Sequence, residues 1–147
     1  MVVCAIGGNP LTWSVSRRPP PDSPHSTTLT NLFPDLAVNG KQTLNENLAD
    51  LGGISAAYDA YRASIAGARP LPSKRGSGDQ QFFLGFAQQW ASKSSEAFLR
   101  EQMMTDTHSP DQFRPVTVRN LDAWYAAFDV KPGDKLYLAP ADRVHIW

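Results

Sequence analysis

A run of apolar residues with helical spacing limits the fold of this sequence more than any other feature. The apolar positions recur at intervals of three, four or seven residues, at Leu44, Leu48, Leu51, Tyr58, Tyr61 and Ile65. These intervals place them along one face of an α-helix. Gly52 and Gly53 lie inside the run, and each costs a helix about 1 kcal/mol in propensity. The spacing therefore predicts a long helix from Leu44, with close packing or a kink at the two glycines.

Three shorter helices are expected after this one. Asp79 is a candidate cap for a helix with a cluster of large apolar residues, Phe82, Phe83, Phe86 and Trp90. Another helix is expected near residues 95–104. Asn120 is a candidate cap for the last helix, which carries Leu121, Trp124, Tyr125 and Phe128.

The remaining segments predict loops and extended chain. Residues 1–34 hold six of the twelve prolines and show no apolar periodicity, so we expect an irregular or extended leader. TDTHSPDQFRP predicts a structured loop with about one helical turn, and KLYLA has the alternation of a short strand. The expected fold class is mainly α: a leader over 1–34, then a helical, bundle-like unit over 35–147.

Composition argues against several classes of function. Fourteen Lys and Arg balance fourteen Asp and Glu, so no net charge attracts nucleic acid or an anionic membrane surface. Cys4 is the only cysteine, which excludes an internal disulfide and a multi-thiolate zinc site. No apolar stretch approaches the ~18 residues of a membrane-spanning helix, and the charges near the start are not ordered as in a signal peptide. The cellular compartment stays open.

Two carboxylates stand four positions apart in LNENLADLGG, at Glu46 and Asp50. On a helix this spacing puts both on one face. A carboxylate is a good zinc ligand, and a second carboxylate one turn away can accept the ring N–H of a zinc-bound histidine. Two solvated acids on an exposed helix face would give the same spacing, so the pair alone leaves both interpretations open.

The residues around the pair resemble the C-terminal catalytic region of the neprilysin family of zinc endopeptidases. The shared pattern comprises Asn39, Gly40, Thr43, Leu44, Glu46, Asn47, Ala49, Asp50, Gly52, Gly53, Ala57 and Tyr58. The resemblance continues through DQQFFLGFAQQWASK and TDTHSPDQFRP to Trp147. It covers most of the chain, from about Thr28 onward.

The resemblance implies a role for five residues. Glu46 corresponds to the third protein ligand of zinc, and Asp50 to the residue that orients a histidine ligand. His108 matches the histidine that stabilises the oxyanion, with Asp106 supporting it, and Arg114 matches the arginine that binds the substrate backbone. The implied cofactor is Zn²⁺, and the implied substrates are peptides.

The chain departs from the family pattern in one respect that affects the chemistry. Members carry an HExxH helix that supplies two histidine ligands and the general base, and no HExxH occurs in this sequence. The three histidines, His25, His108 and His145, are never four apart. We therefore expect the 147-residue chain on its own to bind zinc weakly and to hydrolyse no peptide bond.

Three hypotheses follow for the function. The chain is a C-terminal fragment of a neprilysin-like zinc metalloendopeptidase, or one chain of a two-chain peptidase. Alternatively, it is a non-catalytic binding module that kept the scaffold. The expected partners are accordingly an HExxH-bearing segment or a second copy of the chain, because helix faces shaped for a neighbour seldom stay exposed.

Overall fold

The computed structural model describes residues 31–66 and 76–146. In chain order these residues form strands β1 (Asn31–Phe33) and β2 (Leu36–Ala37), helices α1 (Leu44–Ser64), α2 (Gly78–Gln89) and α3 (Glu96–Thr105), a 3₁₀ segment (Asp111–Asn120), helix α4 (Asp122–Phe128) and a 3₁₀ turn (Pro140–Asp142). The predicted mainly α fold class is confirmed. Within the described ranges no helix combines the length and the apolar character needed to cross a membrane.

The two short strands pair as an antiparallel hairpin in front of α1. The hairpin crosses the predicted boundary at residue 34. Residues 1–30 lie outside the described ranges, so the division into a leader and a folded part stays a prediction.

Helix α1 runs without interruption through both glycines. Leu51 and Ile54 are buried on its inner face, in keeping with the apolar spacing. The close packing expected at the glycines is not seen at Gly53, because a Cβ built on it would meet no described atom within 4 Å. Among the described residues nothing packs closely on Gly53, which faces open space beside α2.

The helix caps differ from the predicted ones. Ser77, rather than Asp79, caps α2: its hydroxyl accepts the backbone N–H of Gln80 at 3.2 Å, and the Gln80 side chain accepts the backbone N–H of Ser77 at 2.9 Å. This capping box satisfies two helix N–H groups at once. Asp79 lies in the first turn and forms an ion pair with Arg62 on α1, at 3.0 Å.

Asn120 does not cap α4, whose capping position is Leu121. Asn120 is buried instead, and its side-chain oxygen accepts the backbone N–H of Val144 at 3.0 Å. Its side-chain nitrogen donates to the carbonyl of Thr117 at 3.2 Å. The side chain therefore holds the end of the chain against the 3₁₀ segment.

The predictions for the two loop segments also needed correction. KLYLA forms no strand; the backbone N–H of Leu138 instead donates to the Tyr125 hydroxyl at 2.9 Å, and that hydroxyl donates to the carbonyl of Arg119 at 2.8 Å. In TDTHSPDQFRP the expected helical turn begins at Asp111, but it continues beyond this segment as 3₁₀ structure to Asn120.

The apolar core consists of two clusters that share the 3₁₀ segment. One is built from Val38, Met103 and Phe113, and the other from Ile54, Phe83 and Val118. Burying one such side chain contributes about 1.5–3 kcal/mol. Val118 fixes the 3₁₀ segment against Ile54 on α1, and Phe113 fixes it against Met103 on α3. The site described next lies at the junction with α1.

Candidate active site

Helix α1 presents Glu46 and Asp50 at the edge of its buried face. Asn47 and Leu51, each next in sequence to one of the acids, are almost fully buried. The side chain of Glu46 is 37% exposed, while that of Asp50 is 11% exposed. The helix therefore offers one half-exposed and one enclosed carboxylate to the loop that follows α3.

That loop holds His108 between two carboxylates. Asp106 Oδ1 accepts the backbone N–H of His108 at 2.8 Å and lies 2.9 Å from Nδ1 of its ring. On the other side of the ring, Nε2 lies 3.1 Å from Glu46 Oε2. The imidazole thus links the loop to the first turn of α1.

Asp50 makes a two-point ion pair with Arg114, the fourth residue of the 3₁₀ segment. Arg114 donates from Nε to Asp50 Oδ2 at 2.8 Å and from Nη2 to Oδ1 at 2.6 Å. The guanidinium also lies over the indole ring of Trp90, 3.9 Å from its centroid. This planar, two-point geometry suits a guanidinium better than an ammonium group.

These contacts shift two pKa values. The backbone N–H of His108, and then its ring, hold the pKa of Asp106 below its usual range. The hydrogen bonds to Asp50 raise the pKa of Arg114, against an opposing effect of its own burial. Hydrogen bonds to the charged form explain both directions. Asp106 is therefore a carboxylate, and Arg114 a cation, throughout the neutral pH range.

Buried hydrogen bonds tie α1 to the His108 loop beneath the exposed contacts. Ser109 donates its hydroxyl to Asn47 Oδ1 at 2.9 Å, and both residues are 1% exposed. Asn47 Nδ2 in turn donates to Thr43 Oγ1 at 3.0 Å. The side-chain amide of Gln42 adds a bond to the carbonyl of Asp106, at 2.6 Å.

All five predicted site residues thus lie at one junction, where α1 meets the His108 loop and the 3₁₀ segment. Glu46, His108 and Asp106 form one continuous set of contacts, and Asp50 with Arg114 forms a second set one helical turn away. Arg114 uses both oxygens of Asp50, yet each oxygen keeps a second lone pair for an imidazole N–H. The role of Asp50 in orienting a histidine ligand stays a prediction.

Several residues of this junction were not predicted as site residues, among them Asn47, Ser109 and Trp90. Asn47 carried a signal in the sequence, because Leu44, Asn47, Leu51 and Ile54 follow one helical face, and a polar side chain on that face needs a partner. Ser109 and Trp90 carried no comparable signal, since their partners come from distant parts of the chain.

The described residues contain no group of three or more His, Cys, Asp and Glu side chains arranged to hold a metal ion. Glu46 offers a half-exposed carboxylate of the kind that zinc accepts, and zinc sites take three or four protein ligands. A single carboxylate of this kind fits one ligand position of a zinc site.

A groove of about 470 Å³ runs between α1 and α2 beside Asp50. Small or apolar residues form most of its walls: Ala49, Gly53 and Ala57 on α1, and Phe82, Gly85 and Phe86 on α2. A Cβ added at Gly53 or at Gly85 would meet no atom within 4 Å. The groove is therefore open along both helices.

Comparison with known proteins identifies the class. The family model described as "Peptidase family M13" matches residues 23–144. This range includes all five site residues and most of the chain. The chain belongs to the M13 family, the family of neprilysin and the endothelin-converting enzymes, and the resemblance inferred from its motifs is confirmed.

Individual relatives agree with this assignment. The chain is 38% identical over 115 residues to neprilysin-3 of Drosophila melanogaster, and 37% identical over 114 residues to endothelin-converting enzyme 1 of Homo sapiens. Each match covers 75% of this chain and 14% of the relative. The chain thus spans about a seventh of the length of these relatives.

A solved structure shows the same fold. The zinc metalloprotease Zmp1 of Mycobacterium tuberculosis, in its open state, superposes with a TM-score of 0.74 at 42% sequence identity. The match covers 80% of this chain and 18% of Zmp1. The inhibitor complex of Zmp1 gives a TM-score of 0.73.

Proposed function

We propose that this chain is the C-terminal part of a neprilysin-like zinc metalloendopeptidase and supplies one side of its active site. The observation that carries the proposal is the 3.1 Å separation of Glu46 Oε2 and His108 Nε2. A zinc ligand and an oxyanion donor must address the same small volume, because the substrate carbonyl that binds the metal also develops the negative charge. The arrangement of Glu46 and His108 meets this requirement.

Each residue has a distinct part in the proposed site. Glu46 is a ligand for zinc, which when bound polarises a peptide carbonyl and lowers the pKa of a water molecule. Asp106 holds His108 at Nδ1, so Nε2 is the ring atom that would donate to an oxyanion once Glu46 binds a metal ion instead of the ring. Asp106 thereby fixes the orientation of the ring. One such donor is worth about 3 kcal/mol of transition-state stabilisation.

Arg114 binds the substrate backbone in this proposal. Asp50 takes the N–H of Nε and one N–H of Nη2, so the two N–H groups of Nη1 and the second of Nη2 remain for a peptide carbonyl. Asp50 and the ring of Trp90 hold the guanidinium in place before substrate arrives. Fixing a donor in this way reduces the entropy lost on binding.

The missing histidine ligands are proposed to come from an HExxH-bearing segment, either upstream in a longer protein or on a separate chain. The groove between α1 and α2 is the proposed docking surface. Its small-residue wall at Ala49, Gly53 and Ala57 permits the close approach of another helix, and Asp50 lies at its edge. Asp50 would there accept the ring N–H of a histidine ligand.

Zinc titration of the 147-residue chain by isothermal calorimetry tests the proposal, with and without a polypeptide containing an HExxH helix. We expect weak binding to either component alone and at least a tenfold gain in affinity for the mixture. Glu46→Gln should abolish that gain. Glu101→Gln, which changes an exposed acid on α3, should preserve it. The same gain with Glu46→Gln would overturn the assignment of Glu46.

A non-catalytic binding module is the second candidate, favoured by exposed apolar side chains away from the junction. Leu84, Phe98 and Met104 are 46%, 55% and 64% exposed. A module would bind a partner or a second copy without needing Glu46. Sedimentation of the purified chain distinguishes the candidates: self-association unaffected by Glu46→Gln, together with no zinc gain in the mixture, favours the module.

A further inference from the structure

We propose that Asn47 and Ser109 are positioning residues that set the distance between Glu46 and His108. The inference rests on the proposed function, because it concerns the same two site residues. Each positioning residue is the next in sequence to one of them, Asn47 to Glu46 and Ser109 to His108. The buried hydrogen bond of 2.9 Å between Asn47 and Ser109 therefore runs alongside the half-exposed contact of 3.1 Å between Glu46 and His108.

The two contacts differ in burial, and therefore in how strongly they hold the His108 loop against α1. Glu46 and His108 have side chains that are 37% and 42% exposed, and exposed pairs of this kind contribute little to holding two segments together. Asn47 and Ser109 are both 1% exposed. A buried polar group that loses its partner incurs the full cost of desolvation, so their hydrogen bond resists being broken. The buried pair thus fixes the spacing of the exposed pair.

The hydrogen bonds of Ser109, Asn47 and Thr43 form a series in which each side chain donates to the next group. This direction requires an amide at position 47. The Ser109 hydroxyl donates to Asn47 Oδ1, Asn47 Nδ2 donates to Thr43 Oγ1, and the Thr43 hydroxyl donates to the carbonyl of Asn39 at 3.3 Å. Asn47 must accept on one side and donate on the other, which an amide does and a carboxylate does not. An aspartate at position 47 would also place a charge at a buried position.

The bond joins segments that are distant in the chain. Asn47 and Ser109 are 62 positions apart. Glu46 stands on a regular helix, but His108 stands on a loop whose path is not determined by regular structure. The geometry of the site therefore depends on what attaches the loop to the helix. Ser109, the first loop residue after His108, makes the buried attachment, and the exposed bond from Gln42 to the carbonyl of Asp106 is a second one.

Nuclear Overhauser contacts between the Glu46 γ-protons and the His108 ring protons, measured in the metal-free 147-residue chain, test the proposal. We expect these contacts in the wild type and their loss in Ser109→Ala, while contacts within α1 among Leu51 and Ile54 persist. Ser55→Ala is the matched control, because it removes a hydroxyl that bonds within α1, to the carbonyl of Leu51 at 2.7 Å. It should retain the Glu46–His108 contacts.

Ser109→Cys serves if Ser109→Ala does not fold, because the thiol nearly preserves the volume but is a weak donor. Retention of the Glu46–His108 contacts in both variants would overturn the proposal, as would their absence from the wild type. This experiment uses neither zinc nor an HExxH segment. A failure here would leave Glu46 as a zinc ligand, whereas a failed zinc titration would leave the positioning role intact.

Discussion

Asp50 and Arg114 form a two-point ion pair that connects α1 to the 3₁₀ segment across 64 positions of sequence. Both side chains are largely enclosed, at 11% and 15% exposure. Removing one partner from such a pair leaves the other charge with little water around it. The pair therefore matters for the stability of the junction as well as for its chemistry.

We expect Arg114→Ala to lower the free energy of unfolding by about 2–3 kcal/mol. Asp50 loses its ion-pair partner, and the indole of Trp90 loses the guanidinium that lies over it. Urea unfolding followed by circular dichroism measures the change. The double variant Asp50→Asn with Arg114→Met should recover part of the loss, since it buries no charge. An Arg114→Ala chain as stable as the wild type would contradict the enclosed position of the pair.

Gly53→Ala and Gly85→Ala should each raise the free energy of unfolding by about 0.5–1 kcal/mol. Both positions are helical and open, so alanine gains helix propensity without a clash. Thermal and urea unfolding measure the gain. Gly133→Ala is the control, because its φ of +103° disfavours any side chain, and it should lower stability although its surroundings are equally open.

The larger substitution Gly53→Leu tests docking in the groove without changing the fold of the chain. It should preserve the fold, because α1 faces open space there, but its side chain would occupy the groove. In the mixture with an HExxH polypeptide, we expect the gain in zinc affinity to be lost. An undiminished gain would show that the segment docks elsewhere.

Arg119→Met should raise the free energy of unfolding by about 1 kcal/mol. Arg119 is 4% exposed, and among the described residues its Nε and Nη1 have no hydrogen-bond partner, while Nη2 donates to the carbonyl of Tyr137 at 2.7 Å. Burial lowers its pKa, which reflects the cost of enclosing the charge. An apolar side chain of similar length avoids that cost.

Arg143→Met is the matched control for Arg119→Met. Arg143 is also largely enclosed but has an ion pair with Asp122 and lies over the ring of Tyr125 at 3.5 Å. Its replacement should destabilise the chain. An Arg119→Met chain destabilised as much as the Arg143→Met chain would contradict the prediction.

Asp106 makes the stability of the junction depend on pH in the acidic range. Its pKa is lower in the folded chain than in the unfolded one, so its contribution to stability is complete above about pH 4 and is lost as the pH falls through the folded-state pKa. Asp106→Asn should therefore be less stable than the wild type at neutral pH, and the difference should shrink below about pH 4. Urea unfolding at a series of pH values measures it, and a difference that stays constant into acid would contradict the assignment.

The sequence predicted the regular parts of this fold well, because they depend on local pattern. The spacing of Leu44, Leu51 and their neighbours indicated α1, and the aromatic cluster indicated α2. The predictions of the capping residues were wrong for a physical reason. Asp79 and Asn120 are both good capping residues, but tertiary partners, Arg62 and Val144, engage them instead. The 3₁₀ segment was underestimated because its form depends on packing in two clusters rather than on propensity.

For the candidate site, the motifs supplied the residues but not their pairing. Glu46 and Asp50 followed from helical spacing, and His108 and Arg114 from resemblance to the family. The partners in the metal-free chain, His108 for Glu46 and Arg114 for Asp50, arise only when the loop and the 3₁₀ segment fold back on α1. Sequence spacing within one helix carries no information about that approach.

The Tyr125 hydroxyl anchors the segment around Leu138 without a β-strand. It accepts the N–H of Leu138 and donates to the carbonyl of Arg119, so one phenolic oxygen replaces the ladder that a strand would need. A ladder requires a fixed run of paired residues, whereas a single anchoring atom tolerates insertions or deletions on either side of it. An insertion or deletion between Phe128 and Leu138 should therefore leave this anchor in place.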